Sequence, residues 1–515
     1  MLSVNNILLI ATIVVYLGFM LAIGVVLSKK NKNTDDYYLG GRTLGPFVTA
    51  MSAEASDMSS WLLMGLPGVA LASGIADAFW TAAGLAVGTY LNWLIVARRL
   101  RIYSEVNGSA TIPDFFSNRF KDKSGALLAI SAVIILVFFV PYTASGFSAI
   151  AKLFESLYGV DYHVALIVGA IVVVFYTAMG GFLAASTTDF VQSIVMTLAL
   201  VVVVGFGLYT TNGIDPIVDN VKDLPGYLSL TSTFDAASGT ASQYGIIGII
   251  STFAWGLGYF GMPHVLLRFM AISDDKKLKL SRRIASVWVV ISMAVAIFIG
   301  VIGYTFVRVK GIDLPDSERI IIEISKVISE SNWLGAIVAG LIVSGILAAT
   351  MSTADSQLLA AASSMSENIV HRFIAKNMSE KTSMIVARAT VAVIAVIAVV
   401  FAWDPGSKVF DIVSFAWAGF GAAFGPVMMC SLFWKRTTKW GAFAGMFAGG
   451  ATAIVWCYVL KPFGKLNGIS VLNIYELLPA FIIGLVAIIV VSLLTKAPDK
   501  EVTDDFDRVN ALMKQ

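Results

Sequence analysis

Long apolar runs separated by short polar loops recur along almost the entire chain. A helix rises 1.5 Å per residue, so about 20 apolar residues are needed to cross about 30 Å of hydrocarbon. Thirteen runs meet that length, at 5–28, 43–73, 75–98, 124–156, 163–181, 188–210, 243–268, 284–308, 333–370, 384–402, 409–433, 440–461 and 473–495. The pattern predicts an all-α integral membrane protein of about 13 transmembrane helices. Run 5–28 is preceded by Met-Leu-Ser-Val-Asn-Asn, with neither a basic segment nor a small-residue cleavage site. It reads as a retained span rather than a signal peptide.

The composition agrees, with 57% hydrophobic and 13% charged residues, against about 25% charged in soluble domains. The lipid bilayer is the expected environment. Cys430 and Cys457 both sit inside apolar runs, which argues against a disulfide framework. The longest loop, 211–242, is too short to bury a core of its own. With no output domain visible, a membrane sensor is disfavoured.

The net charge of +3 is uninformative, but most of the 36 Lys and Arg fall in alternate loops. These loops carry Lys29, Lys30, Lys32 and Arg42, then Arg98, Arg99, Arg101, Arg119, Lys121 and Lys123, then Arg268, Lys276, Lys277, Lys279, Arg282 and Arg283. Arg372, Lys376 and Lys381, then Lys435, Arg436 and Lys439, and finally the tail 496–515 keep the same parity. Positive-inside bias puts these loops in the cytoplasm. The chain is then a multi-pass cell-membrane protein with its N-terminus outside and its C-terminus cytoplasmic.

Two runs do not read as continuous helices. The first contains Met51-Ser-Ala-Glu-Ala-Ser-Asp-Met-Ser-Ser-Trp61 and then Met64-Gly-Leu-Pro-Gly68, and the second contains Ala254-Trp-Gly-Leu-Gly-Tyr-Phe-Gly-Met-Pro-His264. They lie five runs apart. Interrupted segments at matching places in two halves point to a transporter site between inverted repeats. Breaking a helix in lipid exposes carbonyls that only an ion, water or other protein groups satisfy. Simple kinking of packed helices by Gly and Pro is the competing explanation.

Asp57 stands in the first interrupted run with Ser56, Ser59 and Ser60 around it and Glu54 one turn earlier. Intramembrane carboxylates are rare and usually functional. Asp57 reads as a group that ligates or attracts a cation, or that bonds the broken backbone. In run 333–370, Ala349, Ser352 and Thr353 share one helix face. A carbonyl and two hydroxyls suit a small hard cation such as sodium, which prefers oxygen. Ser and Thr in membrane helices also bond neighbouring backbone, so that stretch alone is ambiguous. In the second interrupted run, Trp255, Tyr259 and Pro263 recur every fourth residue, with Gly256, Gly258 and Gly261 between them. They form the wall of a small apolar pocket, or ordinary packing.

No enzyme is expected: His163, His264 and His371 are scattered, and no G-x-x-x-x-G-K-[ST] phosphate loop occurs. The energy source is then an ion gradient. Nothing calls for nucleic acid or an obligatory protein partner.

The motifs Leu39-Gly-Gly-Arg-Thr-Leu-Gly-Pro46, Ser56-Asp-Met-Ser-Ser-Trp-Leu-Leu-Met-Gly-Leu-Pro-Gly68, Tyr176-Thr-Ala-Met-Gly-Gly-Phe-Leu183, Trp255-Gly-Leu-Gly-Tyr-Phe-Gly261 and Ala348-Ala-Thr-Met-Ser-Thr-Ala-Asp-Ser-Gln357 mark a likeness that extends over nearly the whole chain. On these the sequence resembles the sodium:solute symporter family, and its proline branch in particular. The resemblance implies a leucine-transporter-type inverted repeat of five plus five helices. One repeat would occupy 43–210 and the other 243–433, with an extra N-terminal helix at 5–28, two C-terminal helices at 440–495 and a cytoplasmic tail at 496–515.

The resemblance further implies import of L-proline with sodium as the cotransported ion. The sodium site would use the carbonyls of Ala55, Met58 and Ala349 and the hydroxyls of Ser352 and Thr353, with Asp57 attracting or holding the ion. Tyr142, Trp255, Tyr259, Pro263 and Ser59 would bind the substrate, and Asp189 would serve sodium coupling. Ser60 stands where the family often has glycine, and Met262 where it can have glutamine. The alternatives are a sodium symporter for pantothenate, a sugar or a monocarboxylate, or a transporter-like sensor or channel.

Overall fold

The computed structural model describes residues 3–29, 34–236, 238–374 and 378–514. Lys30, Lys32 and Lys376, counted above among the loop charges, lie outside the described residues. Among those described, ten helices are long and apolar enough to cross a membrane, or eleven if the bent pair Ile246–Phe260 and Pro263–Ala271 is one span. The expected thirteen is therefore not confirmed, and two places account for the difference.

The first is run 43–73, which forms Pro46–Ser60, a wider turn Trp61–Gly65, and Leu66–Ser73. The second is a 49-residue stretch, Tyr162–Thr210, in place of two separate runs. It is broken at Gly181, whose φ of 68° and ψ of −177° lie in a region open to glycine. Across that break Tyr176 and Thr188 share a hydrogen bond although they are twelve residues apart. A straight helix would separate them by about 18 Å, so the chain folds back on itself at Gly181.

Trp333–Ser363 is the most enclosed long helix together with Val409–Phe433, with 78% of its apolar window buried in each case. It packs against Val4–Ser28, Ala126–Tyr158, Tyr162–Thr210 and the first broken helix. Small side chains such as Ala339, Gly340, Ala348 and Ala349 let these neighbours approach.

Loop 211–242 departs from the all-helical expectation. It contains a short helix, Asp215–Val221, and a two-stranded antiparallel hairpin pairing Ser232–Asp235 with Thr240–Gln243. It has too little apolar surface for an independent core, so Tyr227 and Phe234 pack onto Val301 and Ile302 of the Leu278–Lys310 helix.

Several basic residues assigned to loops are in fact inside the protein. Arg268 is 1% exposed, Arg119 1%, Arg101 6% and Arg99 8%. Positive-inside bias reads charge at the ends of apolar runs, and it does not reveal which of those charges have buried partners. Arg99 and Arg119 lie over the ring of Phe506, which the tail helix Lys500–Leu512 brings against this face.

The second broken helix meets Ile75–Leu91 backbone to backbone. A Cβ on Gly88 would stand 2.3 Å from the Gly256 carbonyl oxygen, and one on Gly256 would stand 2.1 Å from the Gly84 oxygen. By contrast, Gly205 has nothing within 4 Å of a built Cβ. Gly88→Ala should cost about 1–3 kcal/mol, the usual range for overpacking, while Gly205→Ala stays near the parent. Thermal unfolding of the two purified variants in detergent tests this, and equal midpoints would contradict the close packing.

Candidate cation and substrate site

Both interrupted segments are true breaks. Pro46–Ser60 ends with Ser59 at φ 50° and ψ −171°, a conformation that costs energy in a residue with a Cβ. Ile246–Phe253 tightens into 3-10 turns over Ala254–Phe260 before a new helix starts at Pro263, and the two halves differ in direction by 43°. Proline suits that first helical position because it has no N–H to leave unpaired.

The freed backbone is satisfied by neighbouring side chains. Trp417 Nε1 donates to the Trp255 carbonyl at 2.8 Å, and Asn92 Nδ2 donates to the Tyr259 carbonyl at 3.0 Å. At the first break, Tyr142 donates its hydroxyl hydrogen to the Asp57 carbonyl at 3.1 Å. Neither Asn92 nor Trp417 was selected from the sequence, because a polar or aromatic side chain gives no sign of which distant carbonyl it will meet.

The expected cation ligands converge in part. Ser352 Oγ lies 2.8 Å from the Ala55 carbonyl oxygen and 3.2 Å from that of Ala349, and Thr353 Oγ1 lies 3.1 Å from the same Ala349 oxygen. The Ser352–Ala55 bond joins Trp333–Ser363 to the first broken helix, while the two bonds to Ala349 lie within Trp333–Ser363 itself. Met58 lies on the same broken helix, but its carbonyl is engaged by the N–H of Trp61. All of the donors are neutral oxygens, which is the chemistry a sodium ion accepts.

Asp57 is 5% exposed. Its Oδ2 accepts the Tyr259 hydroxyl at 2.5 Å, linking the two breaks, while Oδ1 has no hydrogen-bond partner among the described residues. One carboxylate oxygen is therefore left without a donor among the described residues, on a residue two positions along the chain from Ala55.

Of the expected substrate residues, Tyr142 and Tyr259 meet at Asp57. Ser59 forms the break itself and accepts the Trp61 N–H through Oγ at 3.1 Å. Pro263 is buried at the start of the inner half-helix. Trp255 belongs to an aromatic group: its ring stacks on Tyr475 at 5.0 Å and lies 5.5 Å from Phe410 and 5.7 Å from Trp61. These three rings were not selected from the sequence. Of these rings, Trp255, Phe410 and Tyr475 border a cavity of about 770 Å³.

Asp189 makes no hydrogen bond to Ala55, Ala349, Ser352 or Thr353 among the described residues. Its Oδ2 accepts from Ser52 Oγ at 2.7 Å and pairs with Arg268 Nη2 at 3.1 Å, and Arg268 also reaches Ser356 Oγ at 2.5 Å and Ser52 Oγ at 3.0 Å. Every group in this network is buried. It ties the first broken helix to the inner half of the second and to Trp333–Ser363, one turn beyond Ser352 and Thr353. The motif run to Gln357 contained Ser356, but nothing in the sequence distinguished it.

Known proteins bear on this arrangement. Residues 37–449 match the family model described as the sodium:solute symporter family. The high-affinity proline transporter PutP of Bacillus subtilis is 43% identical over 96% of this chain and 100% of its own length. The sodium/proline symporter of Escherichia coli is 42% identical over 98% of this chain and 96% of its own. The osmoregulated proline transporter OpuE of Bacillus subtilis is 42% identical over 98% and 99%. Among solved structures, a sodium-coupled sialic acid symporter in a substrate-bound outward-open state superposes with a TM-score of 0.75 at 18% identity, covering 96% of this chain and 99% of that one. That likeness shows the fold, a leucine-transporter-type helical bundle. By its family match and by relatives above 40% identity along nearly its whole length, the chain belongs to the sodium:solute symporter family.

Proposed function

We propose that this protein imports L-proline by sodium symport through alternating access, with ion and substrate meeting at the two helix breaks. The observation that carries the proposal is the junction of Ala55, Ala349, Ser352 and Thr353, in which Ala55 shares its broken helix with Asp57, whose Oδ1 has no hydrogen-bond partner among the described residues. It is supported by relatives that are named as proline transporters or sodium/proline symporters.

In this reading, sodium enters where Ser352 and Thr353 now donate to carbonyls. The two hydroxyls rotate to turn lone pairs toward the ion, and the Ala55, Met58 and Ala349 carbonyls complete the shell. Asp57 supplies the negative charge that draws the ion in, because a neutral oxygen shell alone compensates poorly for lost hydration. Proline lies between Tyr142, Ser59, Trp255, Tyr259 and Pro263, its ring against the aromatic faces.

Because the ion is held by two helices at once, it favours the conformer in which they are close. Sodium thereby raises the population that binds substrate, and by linkage proline raises sodium affinity equally. The bundle built from the repeats 43–210 and 243–433 rocks from outward-open to inward-open. The helix at 5–28, the pair at 440–495 and the tail at 496–515 lie outside that core. Asp189, held by Arg268, ties the inner half-helix to the ion-bearing helix and so couples the inner gate to the site. With the N-terminus outside and the C-terminus cytoplasmic, each inward sodium charge gains about 2.3 kcal/mol from 100 mV of membrane potential.

Uptake of labelled proline into proteoliposomes should require an inward sodium gradient, and equal rates with potassium in its place would refute the proposal. A panel of other amino acids, pantothenate, sugars and monocarboxylates in the same assay defines the substrate.

Ser352→Ala and Thr353→Ala each delete one oxygen from a buried cation shell, where a bond to a charged group contributes about 1.5–3 kcal/mol. Each should raise the half-saturating sodium concentration by about tenfold or more, while proline binding at saturating sodium changes little. An unchanged sodium dependence in both variants would move the ion site elsewhere.

A further inference from the structure

Beyond the transport site, a crevice of about 500 Å³ opens on the membrane-facing side between the Leu278–Lys310 helix and the part of Tyr162–Thr210 that follows the Gly181 break. One wall is a stripe at intervals of four, formed by Val287, Ile291 and Val295, and the other is formed by Leu200 and Val201. Val287 is 59% exposed, Ile291 57% and Val201 60%. Such a surface is stable only against hydrocarbon.

The same stripe continues toward the helix start as Arg283 and then Lys279. Both are exposed, and neither has a hydrogen bond or ion pair among the described residues. The neighbouring Arg282 is turned instead over the ring of Tyr90. One helix face thus carries two uncompensated cations followed by an apolar trough. From residue 283 to residue 295 the trough runs for about 18 Å at 1.5 Å per residue, comparable with one leaflet, or half of the roughly 30 Å hydrocarbon thickness.

We propose that this crevice is a binding site for an anionic phospholipid, with its phosphate at Lys279 and Arg283 and one acyl chain along Val287, Ile291 and Val295. A zwitterionic lipid offers the same chain, but its own cationic group opposes the paired basic residues. Free phosphate lacks the chain. Basic pockets between membrane helices select anionic headgroups on the same grounds.

The floor of the crevice includes Met51 of the first broken helix. Met51 is next to Ser52, which bonds both Asp189 and Arg268. An acyl chain seated there rests against the helix that must move when the inner gate opens, so the lipid favours the conformer with this trough intact.

Native mass spectrometry of the purified protein, after exchange into micelles doped with either phosphatidylglycerol or phosphatidylcholine, tests the site without relying on transport. The wild-type protein should retain phosphatidylglycerol about tenfold better, from two basic side chains facing one phosphate. The Lys279→Gln/Arg283→Gln double variant should lose that preference. Val287→Trp, which fills the trough and leaves both charges in place, should lower retention of both lipids. Equal retention of the two lipids by the wild-type protein, an undiminished preference in the double variant, or unaltered retention in Val287→Trp would each overturn the proposal. All three positions are exposed to the bilayer or its boundary, so the variants leave the packed interior untouched.

Discussion

A peptide group inside a membrane has no water to bond with, and each one left unpaired costs several kcal/mol. This chain nevertheless interrupts two of its membrane helices, at Ser59 and across Ala254–Phe260. The rest of the bundle is arranged around that constraint. Asn92, Tyr142 and Trp417 each bond a carbonyl of a broken segment from a different helix. The breaks are therefore held open by partners far away in sequence. Gly84, Gly88 and Gly256 serve the same end by removing side chains between the second break and its neighbour, so that backbone meets backbone.

The same constraint explains why the Ala55 and Asp57 carbonyls are bonded by other helices. A continuous helix uses every interior carbonyl for its own ladder, whereas the end of Pro46–Ser60 presents carbonyls to other groups. Ser352 takes up the Ala55 carbonyl and Tyr142 takes up that of Asp57. These contacts are reversible in a way that an internal helical bond is not. A hydroxyl that donates to a carbonyl occupies the place a cation would take, and it rotates away at small cost. The Ala55 carbonyl is thus satisfied without an ion, and the proposed site could exchange that bond for one.

How much of this the sequence revealed depended on whether the signal was local. Asp57 stood out because a carboxylate in an apolar run is costly, and Trp255, Tyr259 and Pro263 stood out because glycines and a proline marked the break beside them. The face shared by Ala349, Ser352 and Thr353 followed from helical spacing. Arg268 was misread as a loop cation, since charge bias at the end of an apolar run is the same whether the side chain points to water or to Asp189. The fold-back at Gly181 was visible only as a gap between runs 163–181 and 188–210, and the structure makes the turn within a continuous helical stretch. Phe410 and Tyr475 were invisible because stacking on Trp255 has no sequence period.

The two ties on Trp333–Ser363 are best understood together. Ser352 meets the first broken helix through neutral oxygens, and Ser356, one turn on, meets it through the Arg268, Asp189 and Ser52 network. The charged tie is permanent in composition, because separating a buried Asp–Arg pair leaves two uncompensated ions. The neutral tie changes strength with its occupant. A helix held by one constant and one variable contact a single turn apart has a natural pivot at the constant one. Movement of the first broken helix is then expected about Ser52, with its Ala55 end shifting most as the variable contact tightens or loosens. Under the proposed sodium-symport reading, that geometry would convert the binding of a small ion into rotation of the first broken helix, without requiring any buried charge to lose its partner.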